Sequence, residues 1–469
     1  MQSLIKTKTV VLPLALFGVA FWWYVNLWRD APIIMSDSWG YMRSAFDLAD
    51  GRVDQLQNRT PGYPLVLLLT GSQETPNRRL LFLSLILHFS SIWVVAGVLA
   101  DLGISQRLLW VFYVVLLLPT FVEPAAYVLA ENLTEFMLVV SFAGIVFWLS
   151  QRRGLWLLMA VTALSYTALT RPTYQLLSVV LAGFVAIAPK VFRWPRRIPV
   201  GATLALATVP VLVLLGYALS NHQKFGFFGV SPMAGVHLST RTSGVVERLP
   251  DEYATVREIL IKARDADLVQ RGGEHNGYEY LQNPGVLAEV SKATGLEGAL
   301  LARYLININM LLIQRAPQQY LAEVAQAFSM FWLPASTNLA NMSSRNIQLL
   351  WSVLHFGVMS VSGATLIVLL GTAVYLANTK QSFRNGDVHG AFEVRLIRRQ
   401  GAIYALAALI VLYGALITSL FESGNPRYRV PTDILIVSMA LIGVTLLRRL
   451  TRITAVSFST PRVSFRTTD

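Results

Sequence analysis

Long apolar runs separated by short polar breaks dominate this chain, and most of the runs approach the twenty or so residues that a helix needs to cross hydrocarbon. The pattern predicts about ten spans, at roughly 9–28, 80–100, 107–123, 127–149, 154–170, 173–190, 199–219, 347–377, 401–421 and 431–447. The first run follows Lys6 and Lys8, carries Trp22, Trp23 and Trp28 near its far end, and lacks a clear small-x-small cleavage site. It reads as a retained signal-anchor. Pro61 to Leu69 is apolar but too short to span, so it is expected to lie in the interface. Asp251 to Arg271, Glu297 to Gln314 and Pro317 to Trp332 carry apolar residues at helical spacing and read as amphipathic helices on or above the membrane. The expected fold is an all-α polytopic membrane protein with interfacial helices in its extracytoplasmic loops. It divides into an N-terminal membrane module at 1–219, a loop at 220–346, and a C-terminal membrane module at 347–469 with a basic tail.

Composition sharpens this picture. Of 469 residues, 54% are hydrophobic and only 14% are charged, against about a quarter in soluble proteins. There is no cysteine, which removes thiolate nucleophiles, thiolate metal sites and disulfides. The net charge of +13 would suggest nucleic acid in a soluble chain. Here the basic residues fall at alternate span ends: Lys6 and Lys8, Arg107, Arg152 and Arg153, Lys190 to Arg197, Lys380 to Arg399, and Arg448 to Arg452. By the positive-inside rule that side is cytoplasmic, both termini lie there, and no nucleic-acid partner is expected. The expected location is a bacterial inner membrane.

The opposite side collects the unusual polar residues, while the span interiors are almost free of charge. Asp37, Arg59, Glu123, Glu131, Arg171, Glu422, Arg427 and Arg429 all fall at non-cytoplasmic span ends. Intramembrane charge marks ion or proton paths, so this distribution disfavours a pump and favours chemistry at one membrane face. A carboxylate such as Asp37 also caps helices in many proteins, and glutamates suit helix N-termini for electrostatic reasons. Arg171 in Leu169-Thr-Arg-Pro172 is suited to phosphate, because a guanidinium fork binds it bidentately. In Glu422-Ser-Gly-Asn-Pro-Arg-Tyr-Arg-Val-Pro431, Arg427 and Arg429 flank Tyr428 in a short turn, and both are expected to face an anionic group. The six histidines show no paired ligand spacing, no phosphate-binding glycine loop precedes a helix, and three glycosylation sequons carry little weight.

At these residues the chain resembles the GT-C superfamily of polyprenyl-phosphate-sugar-dependent glycosyltransferases, with members such as the protein mannosyltransferases and the lipid A aminoarabinose transferases. The likeness rests on Asp37-Ser-Trp-Gly-Tyr41, Arg59-Thr-Pro-Gly-Tyr-Pro64, Leu129-Ala-Glu-Asn132 with Leu169-Thr-Arg-Pro172, and Pro426-Arg-Tyr-Arg-Val-Pro431. It implies that Asp37, in the first external loop (29–79), is the catalytic carboxylate. Tyr41, Arg59, Tyr63, Glu131, Arg171, Glu422, Arg427, Tyr428 and Arg429 would then be substrate-binding residues. The donor implied is a polyprenyl-phosphate sugar, and the acceptor a glycolipid, cell-envelope glycan or protein. The donor already carries its leaving group, so no cofactor is demanded, although some distant members use a divalent cation. The chain has Asp37-Ser38 where the mannosyltransferases have Asp-Glu, and Arg-Thr-Pro-Gly where the aminoarabinose transferases have Lys-Pro-Pro, so neither substrate carries over. A lipid-linked glycan transporter would need polar residues at mid-membrane. A non-catalytic membrane subunit would tolerate loss of Asp37.

The topology is directly testable because the chain has no cysteine of its own. Single cysteines near Arg152, Arg196 and Arg395 should resist a membrane-impermeant reagent in intact cells. Those near Asp37, Gly272 and Gly424 should label. Finding Asp37 and Gly424 on opposite sides would dismantle a one-face site.

Overall fold

The computed structural model describes residues 2–28, 32–52, 59–192, 198–270, 284–333, 349–350, 352–361, 363–364, 388–422 and 425–459. The architecture is that of an all-helical, polytopic membrane protein. Among the described residues, six helices are long and apolar enough to cross a membrane: Arg78–Asp101, Glu131–Gln151, Pro172–Val191, Val200–Phe225, Arg395–Phe421 and Pro426–Thr451. Two bent pairs, Gln106–Leu116 with Pro119–Ala126 and Gly285–Thr294 with Gly298–Arg315, raise the number to eight if each is one span. The expected span 107–123 is thus bent by 65°, and 154–170 and the first run appear as shorter apolar helices. Most of the expected span 347–377 lies outside the described residues.

In chain order, the elements that matter for the site begin with α1 (Gln2–Leu27), α2 (Ser38–Ala49), α3 (Gly62–Thr70) and α4 (Arg78–Asp101). They continue with α5 (Gln106–Leu116), α6 (Pro119–Val122), α7 (Glu131–Gln151), α8 (Gly154–Thr170), α9 (Leu177–Val191) and α10 (Val200–Phe225). The 220–346 region supplies α11 (Ala234–Thr242), α12 (Ala254–Gln270), α13 (Pro284–Thr294), α14 (Gly298–Arg315) and α15 (Pro317–Phe331). A short apolar helix, α16 (Ser352–Val361), precedes α17 (Val388–Phe421) and α18 (Asp433–Ser459).

One apolar core runs through α1, α4, α5, α7, α8, α9, α17 and α18, with Leu85, Ile92, Phe112, Leu138, Leu177, Ile410 and Ile434 fully enclosed. The 220–346 region builds its own cluster around Val246, Leu260, Leu305 and Leu312. A third cluster fixes the site: Met42 and Ala45 of α2 and Tyr63, Val66 and Leu67 of α3 pack on Leu80 of α4 and Leu133 of α7. The α3–α4 turn is tied by Asn77, whose amide donates to the Thr70 and Gly71 carbonyls while its oxygen caps the Arg79 N–H. Gly71 takes the left-handed conformation that ends α3.

The break after α5 has a local cause. Proline at 119 drives Leu118 into extended backbone and removes a donor, which ends the helix. Carbonyls left over at a buried helix end need partners, and other helices supply them. The Tyr24 hydroxyl of α1 donates to the Leu117 carbonyl at 2.6 Å. His88 of α4 places Nε2 3.3 Å from the Leu116 carbonyl and Nδ1 2.8 Å from Glu135 of α7. A carbonyl only accepts, so Nε2 carries a hydrogen, and Nδ1 and Glu135 share the second proton. His88 thereby joins three helices at one point.

His88→Ala should destabilise the protein, because it strands both a carbonyl and a carboxyl in the core at about 1–3 kcal/mol per group. His88→Ala combined with Glu135→Ala should be less damaging than the two single effects summed. Thermal unfolding in detergent reads this, and strict additivity would remove the coupling.

Candidate active site

The chain from Ile33 to Ser38 is held by backbone and hydroxyl bonds to the segment before α7. The Ile33 N–H donates to Ala126 O at 2.7 Å, and Val128 N–H donates to Ile33 O at 3.0 Å. Ser38 Oγ accepts from the Met35 N–H and donates to Val128 O, both at 2.8 Å. Ser38 is fully buried, so it serves as a pin for the loop. Asp37 stands at the N-cap of α2, yet its side chain makes no capping bond to the helix. The carboxylate turns to two guanidiniums instead. Arg59 Nη2 donates to Oδ1 at 3.0 Å and Arg427 Nη2 to Oδ2 at 2.5 Å.

From this clamp an alternating series of charges crosses the end of the bundle. Arg427 Nε lies 2.9 Å from Glu131 Oε1, close enough for strong attraction but poorly directed as a hydrogen bond. Arg171 places Nη1 3.6 Å from the same Glu131 oxygen and Nη2 3.9 Å from Glu422 Oε2. Glu422 Oε1 accepts from the Thr173 hydroxyl at 2.8 Å. The order is therefore Arg59, Asp37, Arg427, Glu131, Arg171, Glu422. Aromatic faces support the cations: Arg59 lies 4.6 Å from the Tyr41 ring centre, and Arg171 lies 5.1 Å from that of Tyr428. Each charge comes from a different element end. Arg171, for example, is where α8 stops, because Pro172 cannot continue it.

Two glycines allow the close approach. A Cβ on Gly40 would lie 2.7 Å from Arg59 Nε, so a side chain there would push the guanidinium off its present path beside α2. A Cβ on Gly62 would lie 2.3 Å from Thr170 Oγ1 and 2.8 Å from the Leu169 carbonyl. That contact presses the start of α3 onto the end of α8, and the Tyr166 hydroxyl donates to Gly62 O at 2.8 Å across it.

These groups line a cavity of about 650 Å³, within the range of ligand pockets. Of the residues singled out from the sequence, Asp37, Tyr41, Arg59, Glu131, Arg171, Glu422, Arg427 and Tyr428 line it. Tyr63 does not; it is buried behind Tyr41, with ring centres 5.1 Å apart. The expectation that Arg429 faces an anionic ligand is corrected. Its side chain is wholly enclosed, donating from Nε to Asp433 Oδ1 at 2.7 Å and from Nη1 to the carbonyls of Phe331 and Leu333. Nη2 lies 3.1 Å from His355 Nε2. A one-residue step beyond Tyr428 in the 3-10 turn Pro426–Thr432 points Arg429 away from Arg427.

Thr120, His237, His355 and Asp433, which the sequence did not single out, also line the cavity, as does Glu123, which it placed on this face without a binding role. Glu123 was visible as a charge at a span end, whereas the histidines had no spacing signal at all. Among the described residues, no group of three His, Asp or Glu side chains is placed to hold a metal ion.

Burial alone would raise the Asp37 pKa, but Arg427 and then Arg59 outweigh it and hold the carboxyl well below the usual carboxylate range. A depressed pKa means that the clamp contributes stability above the unfolded-state value and loses it only in strong acid. No protein-family model, curated protein or solved structure matches the chain.

Arg429→Ala should cost roughly 3–5 kcal/mol of stability, the usual penalty for breaking a buried charged network. Arg429→Lys should not repair it, since a single ammonium cannot reach Asp433, two carbonyls and His355 together. Full thermal stability in the lysine variant would show that charge alone suffices there.

Proposed function

We propose that this chain is a GT-C-type membrane glycosyltransferase that moves a sugar from a polyprenyl-phosphate donor to a hydroxyl-bearing acceptor at the extracytoplasmic face. The observation that carries the reading is the clamp on Asp37. A carboxylate gripped by two guanidiniums faces a 650 Å³ cavity, with a third guanidinium, Arg171, on the wall. Arg171 Nη1 is buried without a hydrogen-bond partner, so a donor site for an anion is already in place.

The chemistry follows from charge exchange. The incoming phosphodiester, a monoanion, competes with Asp37 for Arg427 and Arg59, because both are oxyanions and a fork suits either; the second negative charge appears only on the departing phosphate. As the guanidiniums turn to phosphate, Asp37 loses the partners that suppress its basicity. It then accepts the proton of the acceptor hydroxyl, whose oxygen attacks the anomeric carbon. The bond from that carbon to the phosphate oxygen breaks, and its electron pair leaves with the phosphate, whose charge Arg427, Arg59 and Arg171 stabilise. Tyr41 and Tyr428 hold the guanidiniums by their ring faces while the partners change. The apolar side of the cavity, with Leu176, Ile417 and Phe421, suits the first units of a lipid chain. A bacterial inner-membrane location and a glycan, glycolipid or protein acceptor belong to the same proposal.

Asp37→Asn tests it. In purified protein with a polyprenyl-phosphate sugar, turnover should fall about 10²–10⁴-fold, with circular dichroism unchanged. Wild-type rates in the folded variant would leave Asp37 as a partner for the arginines and nothing more.

The second test concerns pH. Arg427→Gln removes the strongest of the charges that lower the Asp37 pKa, so it should move that pKa upward. Any acidic limb from Asp37 then shifts to higher pH in the pH–rate profile, in addition to the loss of phosphate binding. An unmoved acidic limb would detach Asp37 from the rate.

A further inference from the structure

Glu123 is the exception among the acidic groups of the cavity. Asp37, Glu131 and Glu422 each lie within 4 Å of a guanidinium, and Asp433 is bonded to Arg429. Glu123 has no cationic partner among the described residues, although it is only 7% exposed and lines the same space. One of its oxygens, Oε1, accepts from the Tyr127 hydroxyl at 2.5 Å. The other makes no hydrogen bond to the described protein. A buried carboxyl costs free energy unless its oxygens are satisfied; this oxygen belongs to the cavity lining, where water or the hydroxyls of a ligand can supply the donors.

The cavity lining thus contains two chemically different sets of residues. One set is Arg59, Arg171 and Arg427, which suits a phosphate. The other is Glu123 with Tyr127 and Thr120, which has acceptor oxygens and hydroxyls and offers no cation within ion-pair distance of Glu123. The short turn Glu123–Ala126 sits between α6 and α7, and the segment it leads into is pinned to the Asp37 loop through the Ile33 bonds. The second set is therefore fixed relative to the proton acceptor by backbone hydrogen bonds.

We propose that Glu123 and Tyr127 form the acceptor subsite, and that the group they bind is a neutral sugar ring presenting hydroxyls. This deepens, and rests on, the glycosyltransferase reading. With Oε1 held by Tyr127, the other oxygen of Glu123 still has two acceptor positions, which neighbouring ring hydroxyls can fill at once. With no cation beside it, this group gives an anionic acceptor nothing to pair with, whereas the arginines of the same cavity would hold such an acceptor unproductively. Thr120, Glu123 and Tyr127 line the cavity together, so a ligand with several neighbouring hydroxyls meets more of them than the single hydroxyl of a serine or threonine does, which favours a glycan or glycolipid acceptor over a protein.

The test needs a readout that does not depend on turnover. Purified protein in nanodiscs is probed with methyl glycosides of common hexoses and pentoses by saturation-transfer NMR. The expected result is a sugar signal lost in Glu123→Gln, kept in Asp37→Asn, and not displaced by polyprenyl phosphate. In a transfer assay Glu123→Gln should raise the acceptor KM about 10–100-fold, the range of a lost charge-assisted hydrogen bond, with the donor KM unchanged. Tyr127→Phe should shift it less. The inference is overturned if no glycoside signal depends on Glu123, if polyprenyl phosphate displaces it, or if a serine peptide gives the Glu123-dependent signal instead. Glu123-dependent sugar binding without any transfer from polyprenyl-phosphate sugars would sink the glycosyltransferase reading and leave the subsite standing.

Discussion

Six charges of alternating sign, held in one row where the membrane helices end, are the constraint on which the site depends. No member of the row from Arg59 to Glu422 is more than about a quarter exposed, so none can rely on water alone for its solvation. Each is tolerable because its neighbours carry the opposite charge, and three cations against three anions leave the row neutral. Removing an inner member therefore exposes two others. The row also explains why so many separate elements converge there: the helix ends are the positions from which a polar side chain reaches the cavity while the helix body stays apolar. The row is neutral as it stands, so an anion entering the cavity would have to re-pair its arginines.

Much of the row was legible from sequence. Positive-inside counting placed Asp37, Arg59, Glu131, Arg171, Glu422 and Arg427 on one side, and the structure brings all six to one cavity. The apolar periodicity located α4, α7, α9, α10, α17 and α18, and it marked α12, α14 and α15 as amphipathic. What the sequence could not show was direction. Arg427 and Arg429 look equivalent across Tyr428, yet the tight 3-10 turn sends one into the cavity and the other into the core. Pairing was equally hidden. His88 had no spacing partner, because Glu135 and the Leu116 carbonyl reach it only through tertiary contact. The bend after α5 was foreshadowed by Pro119, but a continuous apolar run concealed it. Gly40 and Gly62 read as ordinary glycines until Arg59 and Thr170 were seen to occupy the space of their missing side chains.

The two buried polar junctions away from the row serve the site by holding its frame. Arg429 fastens the start of α18 to the end of α15 through the Phe331 carbonyl, and His88 fastens α4 to α7 beside the broken helix. Both use hydrogen bonds that fix geometry more tightly than apolar contact does. A carboxylate held between two guanidiniums from distant parts of the chain needs a frame that stays still.

The broken helix also bears on how the chain is made. A membrane protein emerges from the ribosome N-terminus first, and the carbonyls freed at Leu116 and Leu117 are satisfied by Tyr24 and His88, both of which precede them. Their partners are thus already synthesised when the break arrives. Glu135 follows within one further helix and closes the junction on His88. The order of residues along the chain is accordingly an assembly order, in which a polar defect enters hydrocarbon only after the groups that neutralise it.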